Sequence, residues 1–318
     1  MNHHRTVSTI ASLLAVSSLL AACSSDGGNA SSPAGGGSEQ PAKPGRIVSL
    51  SPTATESLFA IGAGDQVVAA DEYSNYPAQA PHRDGLSGYR PNAESILKEN
   101  PELVVVSNQD EALTKALDAA QVRQLVLPAA KSLDEAYSQI DQLGKATGHE
   151  EGAAKTTATM REEVHRAVES VDPKLRDSHL KYFHEVSPDL YSVTSSTFLG
   201  QVYELFGLES IATKPADDPK ASDYPKLTGE AVVQANPQVM FLADAEPGAN
   251  AGAQAVTPAS VAARPGWENI AAVRDHRIYP LDKDLSSRWG PRLGAFVHSI
   301  ADALNQQPQA PHADRPAA

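Results

Sequence analysis

Residues 92–107 read NAESILKENPELVVVS, and residues 228–243 read TGEAVVQANPQVMFLA. Each stretch carries a glutamate two positions after a residue that caps helices well. An Asn-Pro pair follows, and then a run of apolar residues. The two stretches are copies of one unit, 136 residues apart. A duplicated unit predicts that the chain folds into two similar lobes.

Each copy predicts a short helix followed by a buried strand. Asn92 and Thr228 are favourable N-cap residues, and Glu94 and Glu230 fall in the first turn, where a carboxylate suits the helix dipole. The proline of each Asn-Pro pair ends the helix, because the residue before a proline avoids the α region. The apolar run is typical of a strand in a parallel sheet covered by helices. The repeat unit is therefore αβ, an element of a doubly wound lobe.

Residues 46–77 predict a first βαβ unit, with strands at 47–50 and 67–70 around a helix at 52–61. The loops that follow the two strands open at one edge of the sheet, where open α/β lobes bind ligands. Further along, residues 151–171 predict an amphipathic helix with an apolar stripe.

The N-terminus predicts export. Residues 1–22 contain one charge, Arg5, and an apolar stretch too short and too rich in serine to span a membrane. The stretch ends in Leu-Ala-Ala-Cys, which resembles a lipoprotein lipobox and predicts lipidation of Cys23, the only cysteine of the chain. The alternative is a plain secretory cleavage site followed by an unused thiol.

Residues 23–45, rich in Ser, Gly and Pro, predict a flexible tether, and residues 306–318 predict a disordered tail.

Charge and motifs exclude several functions. Removal of residues 1–22 takes away Arg5 and no acid, so the formal charge moves from −13 to −14. Such a surface repels nucleic acid, and we expect a basic protein partner. The histidines lack metal-ligand spacing, and no nucleophile elbow or phosphate-binding loop is present. We therefore predict no catalytic residue, no protein-bound metal and no cofactor.

Three segments resemble the N-terminal lobe of the periplasmic binding proteins for cobalamin and ferric siderophores that feed ABC importers. They are RIVSLSPTATESLFAIGAGDQVVA at 46–69, Tyr-Ser-Asn-Tyr-Pro at 73–77 and NAESILKENPELVVV at 92–106. Within the family the cobalamin binders have the most similar pattern. The resemblance implies an α/β fold of two Rossmann-like lobes with parallel sheets, joined by a long helix. Its expected parts are a lobe at 46–150, the helix at 151–173 and a second lobe at 174–305.

The resemblance also implies a function. We expect an extracytoplasmic, lipid-anchored, monomeric protein that captures a metal chelate and delivers it to an ABC permease dimer with its ATPase subunits. Cobalamin or another corrinoid is the first expectation for the ligand, and a ferric siderophore or haem is the alternative. Two rival functions are a secreted hydrolase or metal-dependent lyase that uses the same cleft, and an envelope sensor or adhesin.

Aromatic faces suit a broad, rigid chelate, because they bury a large area at little entropic cost. The residues expected to contact ligand are Tyr73, Tyr89, Arg90, Phe198, Tyr224, Asp284, Arg288 and Trp289. The alternative is that the aromatic residues are ordinary loop residues and that Asp284 and Arg288 pair with each other. The cobalamin binders of the family carry an aromatic residue just after the acid that Asp284 matches, whereas this chain has Leu285.

Glu94 and Glu230 have a second expected role. The resemblance implies that such a pair of acids binds arginines on the two permease subunits through charge-assisted hydrogen bonds. The alternative is that each acid only stabilises the start of its helix.

Overall fold

The structure is a computed structural model that describes residues 43–214, 220–245 and 255–306. The predicted signal peptide, Cys23, most of the tether and nearly all of the C-terminal tail lie outside these ranges. Inside them, every helix is too short or too polar to cross a membrane.

The last residues of the predicted tether contact the first lobe. The ammonium of Lys43 donates to the carbonyl of Gly148 at 2.8 Å, and the backbone N–H of Gly45 donates to Glu102 at 2.8 Å. Residues 43–45 therefore belong to the folded part of the chain.

The first lobe is a parallel sheet with the strand order β2-β1-β3-β4. The two central strands, β1 and β3, are buried along their whole length. The elements of this lobe, in chain order, are β1 (Ile47–Leu50), α1 (Pro52–Ala60), β2 (Val67–Ala70), α2 (Ala93–Leu97), β3 (Leu103–Val106), α3 (Glu111–Ala119), β4 (Arg123–Val126) and α4 (Leu133–Thr147).

Two helices then lead to a second parallel sheet with the order β6-β5-β7-β8. The remaining elements are α5 (Glu150–Glu169), α6 (Pro173–Arg176), β5 (Lys181–Glu185), α7 (Phe198–Glu204), β6 (Glu209–Ser210), α8 (Gly229–Ala235), β7 (Val239–Leu242), α9 (Pro258–Ala262), α10 (Ala271–Arg274), β8 (Ile278–Pro280), α11 (Lys283–Ser286) and α12 (Leu293–Asn305). The two sheets have the same strand order, and the sequence repeat forms α2–β3 in one and α8–β7 in the other. The predicted fold class is confirmed.

The Asn-Pro pairs end their helices in a way that the sequence analysis did not foresee. Asn100 and Asn236 have φ angles of 49° and 50°, in the left-handed region, where asparagine is tolerated better than most residues. The side chain of Asn236 also accepts a hydrogen bond from the backbone N–H of Ala271 at 2.8 Å. The residue before each proline thus leaves the right-handed helix through the left-handed region rather than through an extended conformation.

Helix α5 lies between the lobes in the chain and packs against α4 and α12. Its buried side chains follow the predicted stripe and include Ala153, Met160 and Val164. One continuous hydrophobic core runs from Ile47 of the first sheet through this helix to Phe241 of the second. The lobes therefore share a packed interior, which opposes a large separation between them.

A buried carboxylate attaches the end of the chain to the first lobe. Glu56 of α1 is 2% exposed, and it accepts hydrogen bonds from Arg288 at 2.7 Å and from Arg292 at 2.6 and 2.9 Å. These hydrogen bonds to Glu56 raise the pKa of Arg292, whose guanidinium also stacks on the ring of Tyr76 at 4.2 Å. Residues 282–292, which we call the 282–292 segment, are thus fixed to α1 by ion pairs.

We expect Glu56→Gln to lower the free energy of unfolding by about 3 kcal/mol, because it removes the buried carboxylate that Arg288 and Arg292 share and leaves Asp284 as the other carboxylate paired with Arg288. Urea denaturation followed by tryptophan fluorescence measures the loss. The control is Glu111→Gln, which removes an exposed ion pair with Lys115 and should cost less than about 0.5 kcal/mol. Equal losses in the two variants would contradict this role of Glu56.

Candidate functional site

A cavity of ≈ 290 Å³ lies between the two lobes. The first lobe contributes the residues that follow β4, and the second contributes the ends of β5 and β7 and the start of α7. The 282–292 segment supplies a third wall. The lining residues are Ala129, Ala130, His184, Val186, Phe198, Leu199, Tyr224, Ala243, Lys283, Ser286, Ser287, Arg288 and Trp289. The cavity therefore lies at the carboxyl edge of both sheets, where open α/β lobes bind ligands.

Three aromatic side chains give the cavity flat apolar surfaces. Phe198 is the first residue of α7, and the Thr197 hydroxyl caps this helix by accepting from the N–H of Gly200 at 2.9 Å. Trp289 is held to α4, since its indole N–H donates to Gln139 at 2.9 Å. Tyr224 is 46% exposed. The cavity wall is thus built from aromatic residues of three separate elements.

His184 reaches the cavity from the core of the second lobe. It is 1% exposed, and its Nδ1 lies 2.8 Å from the hydroxyl of Tyr203. Burial lowers the pKa of His184 from 6.5 to about 3. The imidazole is therefore neutral at physiological pH and adds no charge to the cavity.

Arg288 lines the cavity, but its charge is already balanced. Besides Glu56, it donates to Asp284 at 2.9 Å and to the carbonyl of Tyr73 at 3.2 Å. The Asp284–Arg288 pair considered from the sequence does form. Asp284 also accepts from the side-chain amide of Asn75 at 2.8 Å. These contacts join the 71–77 loop of the first lobe to the 282–292 segment.

The structure brings four of the eight predicted contact residues to the cavity: Phe198, Tyr224, Arg288 and Trp289. Asp284 and the backbone of Tyr73 contact Arg288 but do not line the cavity, and Tyr73 is 63% exposed. Tyr89 is 82% exposed, with the Arg90 guanidinium 5.6 Å from its ring centre, and neither residue lines the cavity.

A larger groove of ≈ 600 Å³ lies beside α4, α5 and α7. It is more open than the cavity and does not lie at the strand ends. Arg161 lines this groove. Its guanidinium pairs with the carboxylate of Asp134 at 3.4 Å and lies over the ring of Tyr137, 3.9 Å from the ring centre. The aromatic cavity is the better candidate for a ligand site.

A family model for the periplasmic binding proteins matches residues 47–285. The chain belongs to this family. The match spans both lobes and reaches the cavity wall at α11, and the family resemblance predicted from the sequence is confirmed.

Individual proteins resemble this binding protein over most of their length. The ABC transporter substrate-binding lipoprotein YvrC of Bacillus subtilis is 29% identical, over 82% of this chain and 80% of the relative. A cobalamin-binding protein of Halobacterium salinarum is 29% identical, over 83% of this chain and 70% of the relative. The solved periplasmic haem-binding protein HutB of Vibrio cholerae superposes with a TM-score of 0.68 at 19% identity, over 82% of this chain and 99% of that one. That last likeness shows the fold.

The two repeated acids of the binding protein occupy the same helical position. Glu94 and Glu230 are each the second residue of their helix, after the N-cap residues Asn92 and Thr228. Both acids are exposed. Glu94 also pairs with Lys98 at 3.0 Å, one helical turn later. Their charges are therefore accessible to a partner.

Sequence reasoning missed four polar residues of the cavity: His184, Lys283, Ser286 and Ser287. His184 carries no spacing motif, and only its position at the end of β5 could have indicated it. Lys283 adjoins the predicted Asp284, but which of two neighbouring side chains reaches a cavity depends on how α11 begins. In the part of the chain that the structure describes, no group of three or more His, Cys, Asp or Glu is arranged to hold a metal ion.

The lowered pKa of His184 predicts a pH effect on stability. Below the unfolded-state pKa of 6.5, His184 binds a proton in the unfolded chain but not in the folded protein. The free energy of unfolding therefore decreases as the pH falls, by up to about 1.4 kcal/mol per pH unit. His184→Gln removes this effect. Between about pH 7 and about pH 5 we therefore expect the original protein to lose roughly 2 kcal/mol more unfolding free energy than the variant.

Urea denaturation at the two pH values measures this difference. The control is His165→Gln, at an exposed position of α5, which should keep the pH dependence of the original protein. If His184→Gln also kept the pH dependence of the original protein, the conclusion that His184 is buried in its neutral form would be refuted.

Proposed function

We propose that the protein captures a metal chelate in the cavity between its lobes and delivers it to an ABC importer. The observation that carries this proposal is the aromatic cavity itself, which combines side chains from both lobes and the 282–292 segment. A site with walls on two lobes binds a ligand through small lobe movements, without a covalent step. The names of the relatives, an ABC transporter lipoprotein and a cobalamin-binding protein, support the same function.

A corrinoid is our first candidate ligand, on the strength of the cobalamin-binding relative. Haem is the alternative, since the fold is shared with a haem-binding protein, and a ferric siderophore belongs to the same class of ligand. At ≈ 290 Å³ the cavity lies at the small end of the usual range for ligand sites, so it encloses only part of such a molecule. We propose that Tyr73, Tyr89, Arg90 and Asp284 contact the part that remains outside.

Two further proposals concern location and partner. We propose that the chain is exported, lipidated at Cys23 and held outside the cytoplasm, where it acts as a monomer. Glu94 and Glu230 are proposed to bind basic side chains of the permease dimer, one acid from each lobe. Their accessibility and their equal position in the two copies support this assignment.

Ligand titration tests the proposed function. Purified protein is mixed with cyanocobalamin, haemin and ferric siderophores, and tryptophan quenching and visible absorbance report binding. At least one chelate should form a reversible complex of one ligand per chain and be recovered unchanged. Absence of binding to every chelate would overturn the proposal, and chemical conversion of the ligand would favour the hydrolase or lyase.

Tyr224→Ala should weaken the binding of that chelate about tenfold, because a large aromatic surface of the cavity is lost. Tyr191→Ala is the matched control, since Tyr191 is a similarly exposed tyrosine of the second lobe that does not line the cavity. Its affinity should equal that of the original protein. Equal losses of affinity in the two variants would place the ligand elsewhere.

The double variant Glu94→Ala, Glu230→Ala should abolish uptake and stimulation of the transporter ATPase, because both charged contacts to the permease are removed. The dissociation constant for the chelate should not change, since neither acid lines the cavity. Glu111→Ala, at another exposed acid in the first turn of a helix, is the control. Unchanged uptake in the double variant, or a parallel loss of affinity, would contradict the docking role.

A further inference from the structure

The charged residues that line the cavity are opposite in sign to the net charge of the chain. The chain has a formal charge of −13, yet among the residues that the structure describes no aspartate or glutamate lines the cavity. Two cationic residues do line it, Lys283 and Arg288. A cavity without carboxylates in an acidic protein is suited to ligands that other parts of the surface repel.

The two cations of the cavity differ in their partners. Arg288 is 9% exposed and donates to the carboxylates of Glu56 and Asp284, so its charge is balanced inside the protein. Lys283 is exposed and forms no ion pair with any residue in the described ranges. The ammonium of Lys283 is therefore the charge that remains for a ligand.

The position of Lys283 is fixed from both sides. It is the first residue of α11, and the preceding Asp282 caps this helix by accepting from the N–H of Leu285 at 2.9 Å. The ion pair between Arg288 and Glu56 holds the other end of the segment against α1. The lysine thus lies on a short, anchored helix at the rim of the cavity rather than on a free loop.

We propose that Lys283 selects chelates that carry an anionic oxygen at their edge, such as a carboxylate, a phosphodiester or a catecholate. This inference rests on the proposed function and narrows its ligand class. An ammonium at the rim of a cavity with aromatic walls forms a charge-assisted hydrogen bond to such an oxygen, while the aromatic faces hold the apolar part of the ligand. Arg288 is a positioning residue that holds the segment in place.

Matched ligand pairs test the proposal, because one member of each pair carries the anionic group and the other lacks it. The pairs are haemin and its dimethyl ester, cyanocobalamin and cobinamide, and an anionic ferric tris-catecholate with a neutral ferric tris-hydroxamate. In each pair that binds, the member with the anionic group should bind about tenfold tighter, and its affinity should fall as salt is added. Lys283→Met should remove both the preference and the salt dependence, and Lys283→Glu should reverse the preference.

Lys145→Met, at an exposed lysine of α4 that does not line the cavity, makes the same change in net charge and should keep the preference. If the original protein binds both members of a pair equally, or if Lys283→Met keeps the preference, the role of Lys283 is overturned while the binding function stands. If no member of any pair binds, the proposed function fails and this inference fails with it.

Discussion

The buried carboxylate of Glu56 is the constraint on which the site depends. An acid removed from water needs a nearby positive charge, and here two arginines from the end of the chain supply it. Because Arg288 also lines the cavity, the same ion pair that satisfies Glu56 fixes the third wall of the cavity. A stability requirement inside the first lobe therefore determines the position of residues that belong to the second half of the chain.

The hydrophobic core imposes a complementary restriction. Residues of both sheets join α5 and α12 in a single core, so the lobes cannot separate without exposing apolar surface to water. The structure thus favours a site that is largely formed before the ligand arrives. A preformed site lowers the ordering cost of binding, and this suits the capture of a rigid ligand. Charge then adds selectivity, since the cavity lacks the acids that dominate the rest of the surface.

The sequence predicted those features that depend on local patterns. The repeated αβ unit indicated two lobes, and its capping residues and apolar runs identified the helices and buried strands. Phe198, Tyr224 and Trp289 were named because aromatic faces suit a broad, rigid chelate, and all three line the cavity. Features that depend on contacts across the chain were missed. Nothing near Glu56 indicates arginines 232 and 236 residues away, and nothing near Lys283 indicates that it borders a cavity. Tyr89 was predicted to contact ligand on the same grounds as Tyr224, but its loop leaves it exposed and away from the cavity.

The location of the bound metal is the most direct test of the account. A crystal of the protein grown with the chelate that binds it contains one iron or cobalt atom per chain, and anomalous scattering at the absorption edge of that metal reveals the atom's position. We expect a single peak at the cavity, bordered by Ala130 on the first lobe, Tyr224 on the second and Trp289 of the 282–292 segment. A peak in the groove beside α4, α5 and α7, or on the outer surface of one lobe, would contradict it.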